Sequence, residues 1–218
     1  MTAILWDFDD TLVATLPARM KALRAAYERT VGGWVDPEEL WRSHKGASLE
    51  AMGERLLGAD GPRFVEIYRE FYYGSDRALK PFDGITSVLR AAHAASIPMG
   101  VVTSKVSWGA TEELEATDLL GFFATVVGAD DTDAHKPDPA PIYLALDRML
   151  IDDPGRVVFI GDSPADMLAA RNAGCIGVGA TWGTLDEGLL LDAGPRHLAR
   201  SPQQLLPILR EHFGEVLA

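Results

Sequence analysis

Five short apolar runs rich in β-branched residues, Ala3 to Phe8, Met99 to Ser104, Thr125 to Ala129, Arg156 to Asp162 and Ile176 to Thr181, alternate with stretches of helical period such as ITSVLRAAHAA and PAPIYLALDRML. Few folds accommodate that alternation. Short, nearly continuous apolar runs read as strands covered on both faces, and strands that alternate with helices close into a parallel sheet with helices on each side. The spacing therefore predicts an α/β core built on a doubly wound, Rossmann-like parallel sheet. A helix that starts near Pro164 and stops at Gly174 follows the preference for proline in a first turn and glycine just past the last.

From about Thr15 to Lys80 the alternation breaks down, because no convincing strand is present. Leu16, Met20, Leu23 and Tyr27 recur at spacings of three and four, as do Leu49, Met52 and Leu56, and again Phe64, Ile67 and Phe71. This pattern predicts an all-helical insert at 15–81, a cap, within an α/β core made of 1–14 and 82–218. GGWVDPEE, GADGP and YYGSD supply its turns, and LKPFDG returns the chain to the core. An insert placed straight after the first strand is expected over the carboxyl edge of the sheet, where open α/β sheets bind ligands, and so to act as a lid.

A chain of 218 residues with 47% apolar content is long enough for one full-sized core with a smaller inserted unit. No apolar run approaches the roughly 18 residues of a membrane span, and the amino terminus lacks a basic-then-apolar leader, so the expectation is a cytoplasmic protein. Cys175 is the only cysteine, which rules out an intrachain disulfide and suits a reducing compartment, with the thiol serving as a small buried apolar group. The formal charge of −12 repels polyanions, which argues against nucleic acid and anionic membranes as partners. A small anionic substrate is still allowed, provided a metal ion or placed lysines and arginines overcome the general field.

Acidic residues then fall where strands end. In DFDD, Asp7 and Asp9 are two apart and are expected to project together, with Asp10 in the loop beyond. Adjacent carboxylates repel unless a cation or a shared proton relieves them, and Mg²⁺, which takes oxygen ligands, suits such a pair. GDSPADM repeats the arrangement, with Asp162 and Asp166 after VVFI at the start of a helix. Helix capping accounts for one of these aspartates but not for both clusters. Parallel strands would bring both clusters to one crevice, where a metal ion becomes close to obligatory. At equivalent strand ends VVTSK offers Thr103, Ser104 and Lys105 to a phosphoryl oxygen, and Lys136 sits in a loop stiffened by Pro137 and Pro139.

The order DFDDT, TSK, HKPDP and GDSPAD resembles the four motifs of the haloacid-dehalogenase-like hydrolase superfamily, spread over nearly the whole chain. The insert resembles that superfamily's small helical cap, and the segment from LKPFDG to VVTSK, with the tail from ATWGT onward, looks most like its phosphoglycolate-phosphatase branch. The resemblance implies a Mg²⁺-dependent phosphatase that hydrolyses a small phosphomonoester through an aspartyl-phosphate. It makes Asp7 the nucleophile and Asp9 the group that protonates the departing alkoxide and later activates water. The Asp7 and Asp162 carboxylates and the Asp9 backbone carbonyl would hold Mg²⁺, with Asp166 as a further ligand or an outer partner. Thr103 would hydrogen-bond the phosphoryl group, Ser104 would add at most a backbone amide, and Lys136 would neutralise charge. Ala14 and Thr15 depart from the aspartate and serine that the branch often carries. Asp9 argues against dehalogenases, which carry an aromatic residue there, and against phosphonatases, which carry a small one; a phosphomutase and a non-catalytic binding domain stay as alternatives. In the cap, Arg42, His44 or Lys45 of WRSHKGAS is expected to bind the substrate's distal group, against the simpler reading of a solvated basic turn. Trp6 and Trp182 read as packing residues. The expected partner is a small phosphorylated metabolite, and the expected state a monomer or homodimer.

Overall fold

A computed structural model describes residues 2–44, 48–74, 77–183 and 186–214. The elements are β1 (Ala3–Trp6), α1 (Leu16–Thr30), α2 (Pro37–Ser43), α3 (Leu49–Leu57), α4 (Gly61–Tyr73), α5 (Ile85–Ala94), β2 (Met99–Val102), α6 (Ser107–Ala116), β3 (Thr125–Val127), α7 (Ala140–Arg148), β4 (Val157–Gly161), α8 (Pro164–Ala173), β5 (Ile176–Ala180), α9 (Glu187–Asp192), β6 (His197–Ala199) and α10 (Leu205–Phe213). They form two compact units, one of Met1–Ala14 with Leu79–Ala218 and one of Thr15–Ala78.

In the larger unit the strands lie in the order β3-β2-β1-β4-β5-β6 and every pairing is parallel. This is a doubly wound, Rossmann-like α/β fold. Alternation along the central strands explains its two helical layers. Ile4 and Trp6 of β1, with Val158 and Ile160 of β4, belong to a core shared with α5 and α10 through Ile85, Leu89, Leu205 and Leu209. Ala3 and Leu5, with Val157 and Phe159, point the other way, into a core shared with Ile142 and Leu146 of α7 and Ala169 and Ala170 of α8. Every residue of β1 and β4 is buried, so neither strand carries a polar face. The winding runs outward from β1 through β2 to β3, then resumes at β4 on the other flank of β1. The order reverses at the β1/β4 pair, the place where open α/β sheets leave a crevice beyond the strand ends.

Several elements depart from the sequence reading. β6 is a sixth strand, three residues long, which pairs with β5 at the sheet edge and is too short to show a period. The first strand ends at Trp6, two residues earlier than its apolar run suggests, because the chain turns: Leu12 N and Val13 N both donate to Phe8 O, and Asp10 N donates to Val13 O. The residues on either side of the smaller unit run side by side, with Phe82 N donating to Leu12 O at 3.1 Å and Ala14 N to Lys80 O at 3.0 Å.

Every element described in the smaller unit is a helix. Met20, Leu23, Met52, Phe64 and Tyr72 are buried in its own core. In α4 the inward face is Phe64, Tyr68 and Tyr72 at spacings of four, and Ile67 and Phe71 pack at its margin, so the face is rotated from the aliphatic pattern by the buried tyrosine rings. GGWVDPEE is only partly a turn: Asp36 accepts from Glu38 N at 3.0 Å as an N-cap and Pro37 opens α2.

Among the described residues no helix is long and apolar enough to cross a membrane. Cys175 is partly buried, and burial pushes its thiol up to about 12, which keeps it protonated and unreactive.

The sheet edge and the last helix meet through histidines, His197 Nε2 of β6 lying 2.8 Å from His212 Nε2 of α10. Burial holds His212 below its ordinary value of 6.5; His197 and Arg196 push the same way and Glu211 opposes them. The unfolded chain therefore takes up this proton first, and the stability linked to it is present above pH 6.5 and lost as pH falls through the folded value. In denaturant titrations His212→Gln should match the wild type at about pH 7.5 and gain on it at about pH 5.5. An unchanged difference between the two conditions would contradict this linkage.

Candidate active site

Residues beyond the carboxyl ends of β1, β2 and β4 form one cluster. Register places Trp6 beside Val101 on one flank and Ile160 on the other, so the chain leaves the sheet at Asp7, Thr103 and Asp162 on neighbouring strands. Asp7 N donates to Ile160 O at 2.8 Å and Thr103 N to Val127 O at 2.9 Å, which continues the ladder up to the functional side chains. Asp7 and Thr103 are buried, Asp162 is half-buried and Ser104 is exposed.

Lys136 ties the cluster together. Its Nζ donates to Asp7 Oδ1 and to Asp166 Oδ1, each at 2.6 Å, and to Val102 O at 3.2 Å, immediately before Thr103. The supporting loop is held by Asn172 Nδ2 of α8, which donates to Pro137 O at 2.9 Å. Asp166 works in two directions. Its other oxygen accepts from Ser163 N and from Ser163 Oγ at 2.6 Å, and Ser163 Oγ accepts from Asp166 N, a capping box that starts α8. Capping and ion pairing are thus served by one residue, where sequence reasoning had set them against each other.

Charge in this cluster is unevenly compensated. Burial pushes the Asp7 carboxyl up to about 7, against the attraction of Lys136 and with added repulsion from Asp166 and Asp9. Burial also opposes the charge on Lys136, but the attraction of Asp166 and Asp7 outweighs it and holds the ammonium above the ordinary lysine range. The two directions agree once the sharing is considered. One ammonium serves two carboxylates, so Lys136 stays charged while Asp7 remains short of positive charge. Ligand oxygens of Asp7, Asp162 and Asp166 lie within 4.8 Å of one another. That is an all-oxygen, net-negative donor set with an under-compensated carboxylate, and it fits a hard divalent cation such as Mg²⁺.

Asp9 does not join this group through its carboxylate. Because the strand ends at Trp6, the parity that would align Asp7 with Asp9 no longer applies, and Asp9 Oδ1 pairs instead with Lys105 Nζ at 2.9 Å. Lys105, read from sequence as an open phosphoryl-binding cation, is itself paired with Glu113 Oε2 of α6 at 2.5 Å. Sequence reasoning passed over Glu113 because it stands among the acids of TEELEA like any surface carboxylate, yet it is completely buried.

Two further positioning contacts were also missed. Thr11 Oγ1 donates to Asp162 Oδ1 at 3.3 Å, and Trp182 Nε1 donates to Thr11 O at 3.1 Å, so Trp182 braces the loop after β1 as well as packing. Trp6 is wholly buried. Asp10 is buried at φ +61°, a left-handed conformation that costs a non-glycine residue roughly 1 kcal/mol. Close approach explains two glycines. A Cβ on Gly161 would lie 2.5 Å from the Asp166 carboxyl, and one on Gly183 would lie 1.6 Å from Asp10 O.

The smaller unit holds the other expected contacts. Arg42, in the last turn of α2, pairs with Glu38 one turn back at 3.1 Å and is about half exposed. His44 Nδ1 lies 2.9 Å from both Leu40 O and Ser43 Oγ. Lys45 lies outside the described residues.

Gly161→Ala should cut turnover severely while the protein remains folded by circular dichroism, since the added methyl displaces the Asp166 carboxyl; wild-type activity would contradict the close approach. Asp7 held near 7 against an ordinary 3.8 means that between these values the folded state keeps a proton the unfolded chain has lost, so the stability linked to it falls as pH rises from 3.8 through about 7 and is absent above that. In chelator at about pH 8, Asp7→Asn should therefore melt no lower than the wild type. A lower melting temperature would mean that the pair with Lys136 outweighs the burial of the charge.

A family model for haloacid dehalogenase-like hydrolases matches residues 4–180. The phosphoglycolate phosphatase of Escherichia coli (strain K12) is 32% identical over 232 residues, covering 94% of this chain and 91% of that protein. A Caldanaerobacter subterraneus subsp. tengcongensis protein, provisionally named pyrophosphatase PpaX, is 30% identical over 213 residues, covering 96% and 95%. Among solved structures, the haloacid dehalogenase-like family protein SP0104 of Streptococcus pneumoniae gives a TM-score of 0.83 at 25% identity, covering 96% of this chain and 98% of that one. A Thermotoga maritima structure provisionally named a beta-phosphoglucomutase gives 0.72 at 28% identity, covering 97% and 99%. Matched by the family model over most of its length, and similar to phosphoglycolate phosphatases across nearly all of it, the chain belongs to the haloacid dehalogenase-like hydrolase family.

Proposed function

We propose that this family member is a Mg²⁺-dependent phosphatase that hydrolyses a small phosphomonoester of the phosphoglycolate type through an aspartyl-phosphate. The observation that carries the reading is the buried Lys136 ammonium bridging Asp7 and Asp166 within a carboxylate group able to hold a divalent ion. Phosphoryl transfer needs little covalent assistance beyond a nucleophile; it needs alignment and positive charge around the transferring oxygens, and this cluster offers both.

In this mechanism Asp7 attacks phosphorus as the ester bond breaks, and the proton of Asp9 goes to the departing alkoxide. Asp9, now a carboxylate, takes a proton from the water that attacks phosphorus in the Asp7 acyl phosphate, which releases inorganic phosphate and restores the Asp7 carboxylate. Thr103 donates its hydroxyl to a phosphoryl oxygen, the Ser104 amide lies next to it, and Lys136 offsets charge on nucleophile and phosphoryl group. The Asp7 and Asp162 carboxylates and the Asp9 backbone carbonyl would hold Mg²⁺, with Asp166 as a further ligand or an outer partner, and the ion would supply further positive charge to the phosphoryl oxygens when bound. Asp166 contributes chiefly by fixing Lys136, since its two oxygens already serve Lys136 and Ser163. The helical unit is read as the cap that selects small substrates, with Arg42, His44 or Lys45 binding a distal anion.

Likeness to the Thermotoga maritima protein favours one second reading, a phosphomutase using the same carboxylate pair. A mutase would require a bisphosphate primer and return an isomeric sugar phosphate, whereas the phosphatase releases phosphate without one.

Turnover of phosphoglycolate and p-nitrophenyl phosphate should be lost in chelator, restored by Mg²⁺, and absent in Asp7→Asn. Sustained turnover by that purified variant would remove Asp7 from its role. Lys136→Ala should lower kcat about 100- to 1,000-fold, by analogy with loss of one electrostatic donor in an oxyanion site. For the cap, Arg42→Ala or Lys45→Ala should lose kcat/KM on the best small anionic substrate far more than on p-nitrophenyl phosphate. If both variants treat the two substrates as the wild type does, the basic turn is merely solvated.

A further inference from the structure

Glu113 is a completely buried carboxylate in the middle of α6, between the core residues Ala110 and Leu114. Its Oε2 lies 2.5 Å from Lys105 Nζ, and the same ammonium lies 2.9 Å from Asp9 Oδ1. The lysine side chain is 8% exposed, and its Nζ stands 4.9 Å from the centre of the Phe8 ring. Its backbone is fixed as well, with Lys105 N donating to Thr103 Oγ1 at 3.1 Å and Lys105 O accepting from Ala129 N at 2.8 Å. The start of α6 is pinned in turn by Asp130, which accepts from Ser107 N and Ser107 Oγ.

A buried pair of this kind contributes little stability beyond what well-packed apolar side chains of the same volume would give, because desolvating two charges cancels most of their attraction. Its distinctive product is position. Asp9 stands on a loop that has already left the sheet, beside a left-handed residue, and its carboxylate is tied down on the side of Oδ1 by this ammonium. Glu113 holds the ammonium from behind and balances its charge, so Lys105 acts on Asp9 as a tether more than as a net positive field.

We infer that Lys105 and Glu113 are positioning residues that hold Asp9 where it can pass its proton to the leaving group. The inference rests on Asp9 being the acid and base of the proposed phosphatase. No bond is made or broken at Lys105 or Glu113. The proton moves from Asp9 to the departing oxygen as the P–O bond breaks, and both electrons of that bond leave with the alcohol.

Leaving groups separate this role from a structural one. An alkyl phosphate needs its oxygen protonated to depart, whereas p-nitrophenolate leaves without help. The parameter kcat/KM reports only the steps through formation of the phosphoenzyme, where the acid acts. Glu113→Gln should lower kcat/KM for alkyl phosphates about 100-fold, the lower range for loss of a placed acid, and change that for p-nitrophenyl phosphate less than about threefold. The double variant Lys105→Met/Glu113→Leu replaces the pair with apolar groups and takes from Asp9 its ammonium partner; it should remain folded by circular dichroism and show the same selective loss on alkyl phosphates. Selective loss in both variants establishes the positioning role. Equal losses on the two ester classes, or recovery of alkyl phosphate turnover in the double variant, would make the pair a packing element and overturn the inference. Failure of the wild type to hydrolyse any ester would instead remove the phosphatase reading, and the inference with it.

Discussion

One lysine shared between two buried carboxylates governs the chemistry of this molecule. Lys136 reaches Asp7 and Asp166 at the same distance, so neither has its full attention, and the shortfall falls on Asp7. In the proposed mechanism Asp7 is the nucleophile, and a carboxylate whose charge is only partly compensated by the protein leaves room for a divalent cation and a phosphoryl group to complete the balance. Excess compensation would have made Asp7 a stable ion-pair partner and a poor nucleophile. The rest of the larger unit serves this arrangement: an all-parallel sheet brings the strand ends to one edge, and the reversal of winding at β1/β4 sets Asp7 beside Asp162.

A second lysine does comparable work with a different result. Lys105 also lies between two carboxylates, Asp9 and Glu113, but Glu113 is entirely inside the protein. The two lysines thus separate the acidic residues of DFDD into different electrostatic settings, Asp7 facing the donor set suited to a metal and Asp9 facing a neutralised tether. Carboxylates two residues apart take up distinct chemical roles when their surroundings differ in this way.

Much of this was legible in the sequence because the informative residues are covalently tied to strand ends. The runs before Asp7, Thr103 and Asp162 are continuous and apolar, and their parallel pairing follows from the alternation with helices, so the convergence of DFDD, TSK and GDSPAD could be read without coordinates. Contacts that depend on helix rotation or loop path could not. Glu113 resembles a surface acid until α6 is packed, Lys105 resembles an open cation until Glu113 is placed beneath it, and the brace from Trp182 to Thr11 joins residues far apart in sequence. β6 is three residues long and α2 seven, too short for periodicity to separate them from loop, although the Asp36 cap and Pro37 were visible signals for α2. Parity failed at Asp9 because the strand stopped at Trp6, and no propensity argument locates a strand end that closely.

The central claim is that Asp7 carries the phosphoryl group, and the most direct test is to catch it there. Wild-type protein mixed with Mg²⁺ and a good substrate, quenched in acid within one turnover and mapped by peptide mass spectrometry, should bear an acid-stable, hydroxylamine-sensitive phosphoryl group on the peptide containing Asp7. Asp7→Asn should bear none. A phosphoryl group recovered on any other residue, or steady turnover with no acyl-phosphate formed at any time, would contradict the account.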